Sequence, residues 1–501
     1  MWGRTPRARR LRLHAQAADA YVELSGSQLD RYAAEIAHHY TEAAVGVADP
    51  HDALRYAIRA AERARDRLAF EQAADILEPA IALFPADETS SELVGHALLV
   101  LGDVQRRSGE PRYRDTLVRA AAAGRDARDA TLMGQAALAS SRAVFSQTGQ
   151  VDSALVTLLE EAVESLPVED SPMRAKLLAN LAGALLFSGE WERRLSLADD
   201  ALAIARRLGH RATLAHVLYQ RHDTIWHPST LEERLALVSE LAEIADSPRD
   251  HYYAALVGIG PAFEAGRLDL ADARIAQASA LGDELQEPPL RWFVLLPRAT
   301  RALIAGDLTK AEALADEALK VGTDTGQPDA LLAYAGTAVT TRLITGRLAD
   351  IDGVFGATAA GVDDSPVARM MWGWVDSHLG RPDTAAEVLA QLAADDFAVV
   401  RKDLTWPAVM AGCAEMCAAA PDAVIARGIR DRLLPHRGVF VTVASAVWLG
   451  PVEYYVALTD VVLGDADAAR MRFDEAEAAL ERLPAPAWLN YVRARRQQLS
   501  V

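Results

Sequence analysis

The stretch GDLTKAEALADEAL, residues 306–319, combines one glycine with an amphipathic helix pattern. After Gly306, apolar residues recur at i, i+3, i+4, i+7 and i+8, so they share one helical face. These residues are Ala311, Leu314, Ala315, Ala318 and Leu319. A second apolar stripe precedes the glycine in residues 290–304, and Gly306 can adopt the positive φ that ends one helix and reverses the chain. The stretch therefore predicts an antiparallel helical hairpin.

This hairpin recurs along the chain, because glycines stand 40 residues apart in two series. The first series is Gly109, Gly149 and Gly189, and the second is Gly266, Gly306 and Gly346. Stacking such hairpins buries apolar faces that a single hairpin leaves open, and alanines at the seam allow the helices to approach closely. Alternation of β-branched residues is almost absent outside residues 439–443, so no sheet is predicted.

Composition restricts the functions that such an array can have. The net charge is −18 over 501 residues, which disfavours direct contact with a nucleic-acid backbone. No uninterrupted apolar stretch approaches the ~20 residues of a membrane-spanning helix. Cys413 and Cys417 are the only cysteines, which excludes a disulfide framework. We therefore expect a cytoplasmic protein that contacts neither nucleic acid nor membrane directly.

The repeat unit is similar to the second half of a tetratricopeptide repeat (TPR), in which a glycine, a Leu or aromatic residue and two alanines recur. The matching sets are Gly306, Leu308, Ala311, Ala315 and Ala318; Gly266, Leu268, Ala271 and Ala278; and Gly464, Ala469, Phe473 and Ala476. The 40-residue period exceeds the ~34 residues of an ordinary TPR. In this it resembles the superhelical region of the maltose-regulon activator and the large LuxR-family ATP-binding regulators of bacteria. The resemblance implies an all-α fold, a right-handed α-solenoid of antiparallel helical hairpins that forms a TPR-like superhelix.

Two end segments extend the resemblance. Residues 11–77 look like the stretch that joins the ATPase module of those regulators to their repeats, and residues 450–488 resemble their last repeat. We therefore expect a helical linker or adaptor segment at residues 1–65 and a solenoid of about ten to eleven hairpins at residues 66–501. None of the four lysines lies in a phosphate-binding loop, and the residues after 488 are too few for a helix-turn-helix domain. If the resemblance extends to an ATPase module, that module acts either in the same polypeptide (in cis) or as a separate protein (in trans).

Candidate binding residues are the aromatic and arginine side chains on the first helices of the hairpins, which line the concave groove in TPR arrays. An aromatic and guanidinium-lined groove can hold a peptide or a small anion. The candidates are Arg221, Trp226, Tyr253, Arg291, Trp292, Arg298, Tyr334, Arg369 and Trp372.

No catalytic, cofactor-binding or metal-binding residues are predicted. Cys413 and Cys417 share a helix face without a histidine in reach, so packing is favoured over zinc binding. The group His222, Asp223 and His227 lacks further ligands and is followed by a proline. The adjacent residues His38 and His39 point to different faces of a helix, which favours packing or capping.

The function implied by the resemblance is that of a non-catalytic sensor and interaction arm. In a LuxR-type regulator, such an arm binds a protein partner or a small-molecule inducer. One alternative is a free-standing TPR adaptor for protein–protein interaction. A lower alternative is an α/α-toroid glycoside hydrolase with two facing carboxylates, but aromatic residues make up only 6% and the turns are short.

Overall fold

The computed structural model describes residues 6–85, 92–141, 148–351 and 365–500. The helices of the N-terminal half are α1 Arg7–Ser25, α2 Ala33–Ala44, α3 Pro50–Asp66, α4 Phe70–Ile81, α5 Glu92–Ser108, α6 Tyr113–Ala127, α7 Ala130–Ser140, α8 Ser153–Ser165, α9 Pro172–Ala184, α10 Trp191–Leu208, α11 Arg211–Thr224 and α12 Leu231–Ile244.

The second half continues in the same manner. Its helices are α13 Pro248–Val257, α14 Ile259–Glu264, α15 Leu268–Leu285, α16 Pro288–Ile304, α17 Leu308–Asp324, α18 Ala330–Ile344, α19 Pro366–His378, α20 Pro382–Phe397, α21 Trp406–Ala419, α22 Ala423–Leu433, α23 Val452–Val462, α24 Ala466–Arg482 and α25 Pro486–Gln498. Short 3₁₀ helices cover Gly26–Arg31, Pro228–Thr230, Leu348–Ile351 and Leu434–His436. Within the described ranges, no helix is both long enough and apolar enough to cross a bilayer.

The hairpin of α16 and α17 shows why the repeat folds as predicted. Gly306 has φ +80°, in the left-handed region that turns the chain, and the Asp307 side chain accepts from the Lys310 amide at the start of α17. Ala311, Leu314, Ala315 and Ala318 of the predicted stripe are buried. Of the other glycines spaced 40 residues apart, Gly109, Gly149, Gly266 and Gly346 also have positive φ, whereas Gly189 does not.

Successive hairpins stack through their first helices. α5 packs beside α7, α7 beside α9, α9 beside α11, and α19 beside α21. Many of the buried residues at these contacts are alanines, which permit a close approach. The prediction of an all-α solenoid of antiparallel hairpins is confirmed. One buried cluster runs from Ala37 to Ala136, across the proposed boundary at residue 65, and that boundary stays a prediction.

A two-stranded antiparallel hairpin interrupts the helices, although no sheet was predicted. It consists of β1 Phe440–Val443 and β2 Val447–Pro451, with Thr442 opposite Trp448. The strands contact α14, α16, α18 and α21. The β-hairpin is therefore packed against helices that are distant in sequence. Local alternation of residue types does not reveal such contacts.

The superhelix winds tightly enough for one turn to contact the next. α5 contacts α16, and Thr148 contacts Asp329. The Arg194 guanidinium donates to the backbone oxygen of Lys402, 208 positions later. These contacts join segments about five repeats apart, so the concave side of the superhelix is partly closed rather than an open groove.

Candidate ligand cavity

A cavity lies in the interior of the superhelix, between the first helices of several hairpins and the β-hairpin. It contains about 1200 Å³ of empty space, counting its open side. Helices α11, α13, α14, α16, α18, α19 and α21, or the residues next to them, contribute to its wall. The lining residues are Thr148, Asp223, Trp226, Leu256, Val257, Gly260, Trp292, Phe293, Leu296, Asp329, Leu332, Ala333, Gly336, Val339, Thr340, Val367, Met370, Met371, Trp374, Leu404, Ala408, Val443, Ala444, Ser445, Ala446, Val447 and Leu449.

The wall is almost entirely apolar because the inward faces of α16 and α19 carry large hydrophobic side chains. Trp292 and Phe293 come from α16, and their rings meet edge to face with centroids 4.8 Å apart. Met370, Met371 and Trp374 come from α19. Aromatic rings provide rigid apolar surface, whereas methionines adapt to the shape of what they contact. The wall therefore suits a small hydrophobic molecule.

The β-hairpin forms another wall of the cavity. Its turn residues, 444–446, face the space together with Val443 and Val447. The Thr300 hydroxyl of α16 donates to the Ala446 oxygen at 2.8 Å, which ties the turn to the superhelix. Gly336 of α18 permits a close approach, since a Cβ there would lie 2.6 Å from the Val447 side chain. The position of the hairpin thus sets the size of the cavity.

Two carboxylates lie on the wall in different environments. The Asp223 carboxylate is 2.9 Å from His222 Nδ1, and burial raises the pKa of Asp223 and lowers that of His222. Burial thus favours the neutral form of both groups. The Asp329 carboxylate instead accepts from the amide and hydroxyl of Thr148. Asp223 can offer a polar contact to a ligand, whereas Asp329 already accepts hydrogen bonds from Thr148.

A buried ion pair between Arg234 and Glu264 packs against Trp226, one of the residues of the cavity wall. Arg234 of α12 is fully buried, and its Nη2 donates to Glu264 Oε2 at 2.6 Å. The same guanidinium lies 4.7 Å from the centroid of the Trp226 ring. A cation over an aromatic face fixes the plane of the ring. Arg234 therefore positions Trp226 without lining the cavity itself.

The predicted groove residues divide into two groups. Trp226 and Trp292 line the cavity. The others do not line it: Arg221 pairs with Asp199 and Glu233, Arg291 pairs with Glu317, Arg298 is exposed, and Tyr253, Tyr334, Arg369 and Trp372 are half-buried elsewhere. Arginines that interact with surface carboxylates do not provide the guanidinium lining that the sequence suggested.

Sequence reasoning missed the methionines and the β-hairpin. Met370 and Met371 directly precede Trp372, so their adjacency to a predicted residue was a visible signal. The alternation of residues 439–443 was a visible signal for β1, but the place of the hairpin in the cavity depends on contacts with α16 and α18, which the sequence does not show.

The remaining cysteines and histidines named above are not part of the cavity wall. Cys413 and Cys417 are buried free thiols on α21. His222 contacts Asp223, whereas the His227 ring lies against Trp406, with centroids 4.7 Å apart, and near His436. Histidines 38 and 39 lie beside His14, far along the chain from the cavity residues.

Comparison with known proteins adds two loose structural alignments. No protein-family model and no curated protein matches the chain. The crystal structure of yeast Tom70 aligns at 12% identity over 96% of this chain and 97% of that one, with a TM-score of 0.38. A circular tandem repeat protein with novel repeat topology aligns at 13% identity over 98% and 95%, with a TM-score of 0.14. At these scores the superpositions support no argument, so the class, a helical-repeat solenoid, rests on the helices of the chain itself.

Proposed function

We propose that this protein is a non-catalytic receptor that binds a small, predominantly apolar molecule in the cavity inside its superhelix. The observation that carries the proposal is the apolar lining of this cavity, with its aromatic and methionine walls. Ligand sites are typically concave, largely apolar and furnished with a few polar groups. Trp226 and Trp292, predicted from the sequence, are among the proposed ligand contacts, together with Phe293, Met370 and Trp374.

The chemistry of the wall favours a hydrophobic ligand over a carbohydrate. Sugar hydroxyls need many hydrogen-bond partners, and a buried polar group without a partner costs about 1–3 kcal/mol. Asp329 already accepts from Thr148, and the Thr340 hydroxyl donates to the Gly336 oxygen. Asp223 remains as a polar contact for one hydroxyl or amine. This distribution argues against the glycoside hydrolase alternative and for an apolar ligand with one polar end.

Binding of a neutral fluorescent probe tests the proposal directly. N-phenyl-1-naphthylamine is apolar and carries one N–H, so we expect a saturable rise in its fluorescence with one site per chain. Ala333→Phe fills the cavity, because Ala333 of α18 is part of its wall, and should weaken binding about tenfold or more. Ala313→Phe, on the exposed face of α17, is the matched control and should bind as the parent protein does.

Either of two results would overturn the receptor proposal. One is the absence of saturable probe binding by the folded protein. The other is an unchanged affinity in Ala333→Phe, provided that circular dichroism shows parental helix content. A loss of binding in both variants would also count against the cavity, because the Ala313 site lies outside it.

We further propose that the receptor acts in the cytoplasm as the sensor arm of a LuxR-type ATP-dependent transcriptional regulator. The support is the resemblance of residues 11–77 and 450–488 to the ends of such arms; the buried free thiols of Cys413 and Cys417 are consistent with a reducing compartment. An antibody against residues 401–501, used on host lysate, tests this. A band much larger than 54.0 kDa supports a regulator with an ATPase in the same chain. A band near 54.0 kDa, with no ATPase co-purifying, supports the free-standing adaptor instead.

A further inference from the structure

Three histidines from two helices meet at the N-terminal end of the array. His14 belongs to α1, and His38 and His39 belong to α2. One ring nitrogen of each lies within 4.8 Å of those of the other two. The Nδ1 atoms of His14 and His39 are 2.9 Å apart, so one ring donates a hydrogen bond to the other.

The two neighbouring histidines of α2 reach His14 because α1 packs along the face that lies between them. The His14 ring centroid is 5.9 Å from that of His38 and 5.0 Å from that of His39. Tyr21, about two helical turns further along α1 than His14, stacks against His39 with an interplanar angle of 27°. The antiparallel packing of α1 and α2 thus holds two of the rings in place.

The cluster is open enough for an ion to reach its ring nitrogens. His14 and His39 are half-buried, and His38 is exposed. The cluster is therefore accessible to an ion from solvent.

We propose that His14, His38 and His39 bind one divalent transition-metal ion of the Zn²⁺ type, which links α1 to α2. Zinc binds imidazole nitrogens at about 2.0–2.1 Å, so tetrahedral ligand nitrogens stand about 3.4 Å apart. The exposed His38 ring turns inward, and the His14–His39 separation widens slightly, to reach this geometry. The three-nitrogen ligand set suits Zn²⁺, Ni²⁺ or Cu²⁺ and does not suit Mg²⁺ or Ca²⁺, which prefer oxygen. Because His38 is exposed, a water molecule can supply the fourth ligand.

This inference is independent of the receptor proposal, because none of its residues lines the cavity. Metal binding at this cluster should affect only the stability of the first helical pair. An ion that bridges α1 and α2 stabilises the first helical pair by mass action, since the unfolded pair cannot assemble the three ligands. Zinc should therefore slow amide exchange in α1 and α2 and leave the cavity helices α16 and α18 unaffected.

The test is calorimetric titration of ZnCl₂ into the full chain, prepared without a histidine tag and stripped with chelator. We expect one site per chain and a loss of affinity of about tenfold or more in His14→Ala and His39→Ala. His38→Gln should weaken binding similarly, and because His38 is exposed this variant should fold normally. His51→Ala is the matched control, since His51 is a surface histidine that contacts Asp49.

Cobalt provides a second readout. Co²⁺ bound by three imidazoles and water should show visible absorption bands of a four-coordinate site, and added Zn²⁺ should abolish them. The proposal is overturned if zinc does not bind at a single site, or if His38→Gln and His14→Ala bind zinc as the parent chain does. Binding lost equally in His51→Ala would also overturn it, because the ion would then be held by scattered surface histidines.

Discussion

The amide and the hydroxyl of Thr148 both donate to the carboxylate of Asp329, although the two residues are 181 positions apart. Close to this contact, a Cβ at Gly149 would lie 2.8 Å from Ser365, so the backbone of one superhelical turn lies directly against the next. Thr148 and Asp329 are also part of the cavity wall. The contact that joins two turns of the solenoid therefore also closes its interior.

Removal of the Asp329 carboxylate should loosen this contact. In Asp329→Ala the Thr148 amide loses its acceptor, which costs about 1.4 kcal/mol and speeds its exchange roughly tenfold. Hydrogen–deuterium exchange of peptides that begin near residue 148 measures the effect. Asp316→Ala, at an exposed carboxylate of α17, should leave those peptides unchanged. Equal exchange in both variants would show that the contact does not hold the turns together.

Removing only one member of the buried Arg234–Glu264 ion pair should strongly destabilise the fold. Arg234→Ala leaves Glu264 buried without its partner, which destabilises the fold by about 3–5 kcal/mol. It also removes the cation from the face of Trp226, so probe affinity should fall. The double variant Arg234→Met/Glu264→Gln should recover most of the stability, because no charge is then left unpaired.

Scanning calorimetry measures the stability of these variants, and probe titration measures their affinity. Arg267→Ala serves as the control, since Arg267 is an exposed arginine. A double variant less stable than either single variant would contradict the argument, because the cost would then arise from lost packing rather than from an unpaired charge.

The helical architecture could be predicted because its causes are local. The stripe after Gly306 and the positive φ of that glycine lie within one repeat, and the structure reproduces both. The cavity has no local cause, because its walls combine α16 and α19 with a hairpin held by Thr300. The histidine cluster was missed for a related reason. His38 and His39 point to different faces of α2, as predicted. Helix α1 packs between those two faces, so its His14 contacts both rings.

The attachment of the β-hairpin to α16 should depend on the hydrogen bond that the Thr300 hydroxyl donates. Thr300→Val keeps the shape of the side chain and removes the bond to Ala446, which costs about 1 kcal/mol. Amides of residues 440–451 should then exchange faster. Thr341→Val is the matched control, because that buried hydroxyl donates within α18 to Thr337. The argument fails if exchange in the hairpin is the same in both variants.

A buried carboxylate near the C-terminus joins four helices. Glu415 of α21 is fully buried and accepts from the Tyr454 hydroxyl at 2.5 Å and the Tyr491 hydroxyl at 2.9 Å. Its other oxygen lies 3.2 Å from Arg495 and 3.4 Å from His378. Burial alone would raise the pKa of Glu415, but the hydrogen bond and charge of His378, the charge of Arg495 and the Tyr454 hydroxyl lower it to about 2.

This lowered pKa predicts how stability depends on pH. The ordinary value for the carboxyl is 4.5, so the unfolded chain binds a proton in the window between about 2 and 4.5, where the folded chain does not. The stabilisation is therefore fully present above pH 4.5 and is lost as the pH falls through that window, by about 3 kcal/mol in total. Glu415→Gln should flatten the fall in Tm over this window, and Glu481→Gln, at an exposed ion pair with Arg493, should not. Parallel Tm curves for parent and Glu415→Gln would show that folding does not lower the pKa of Glu415.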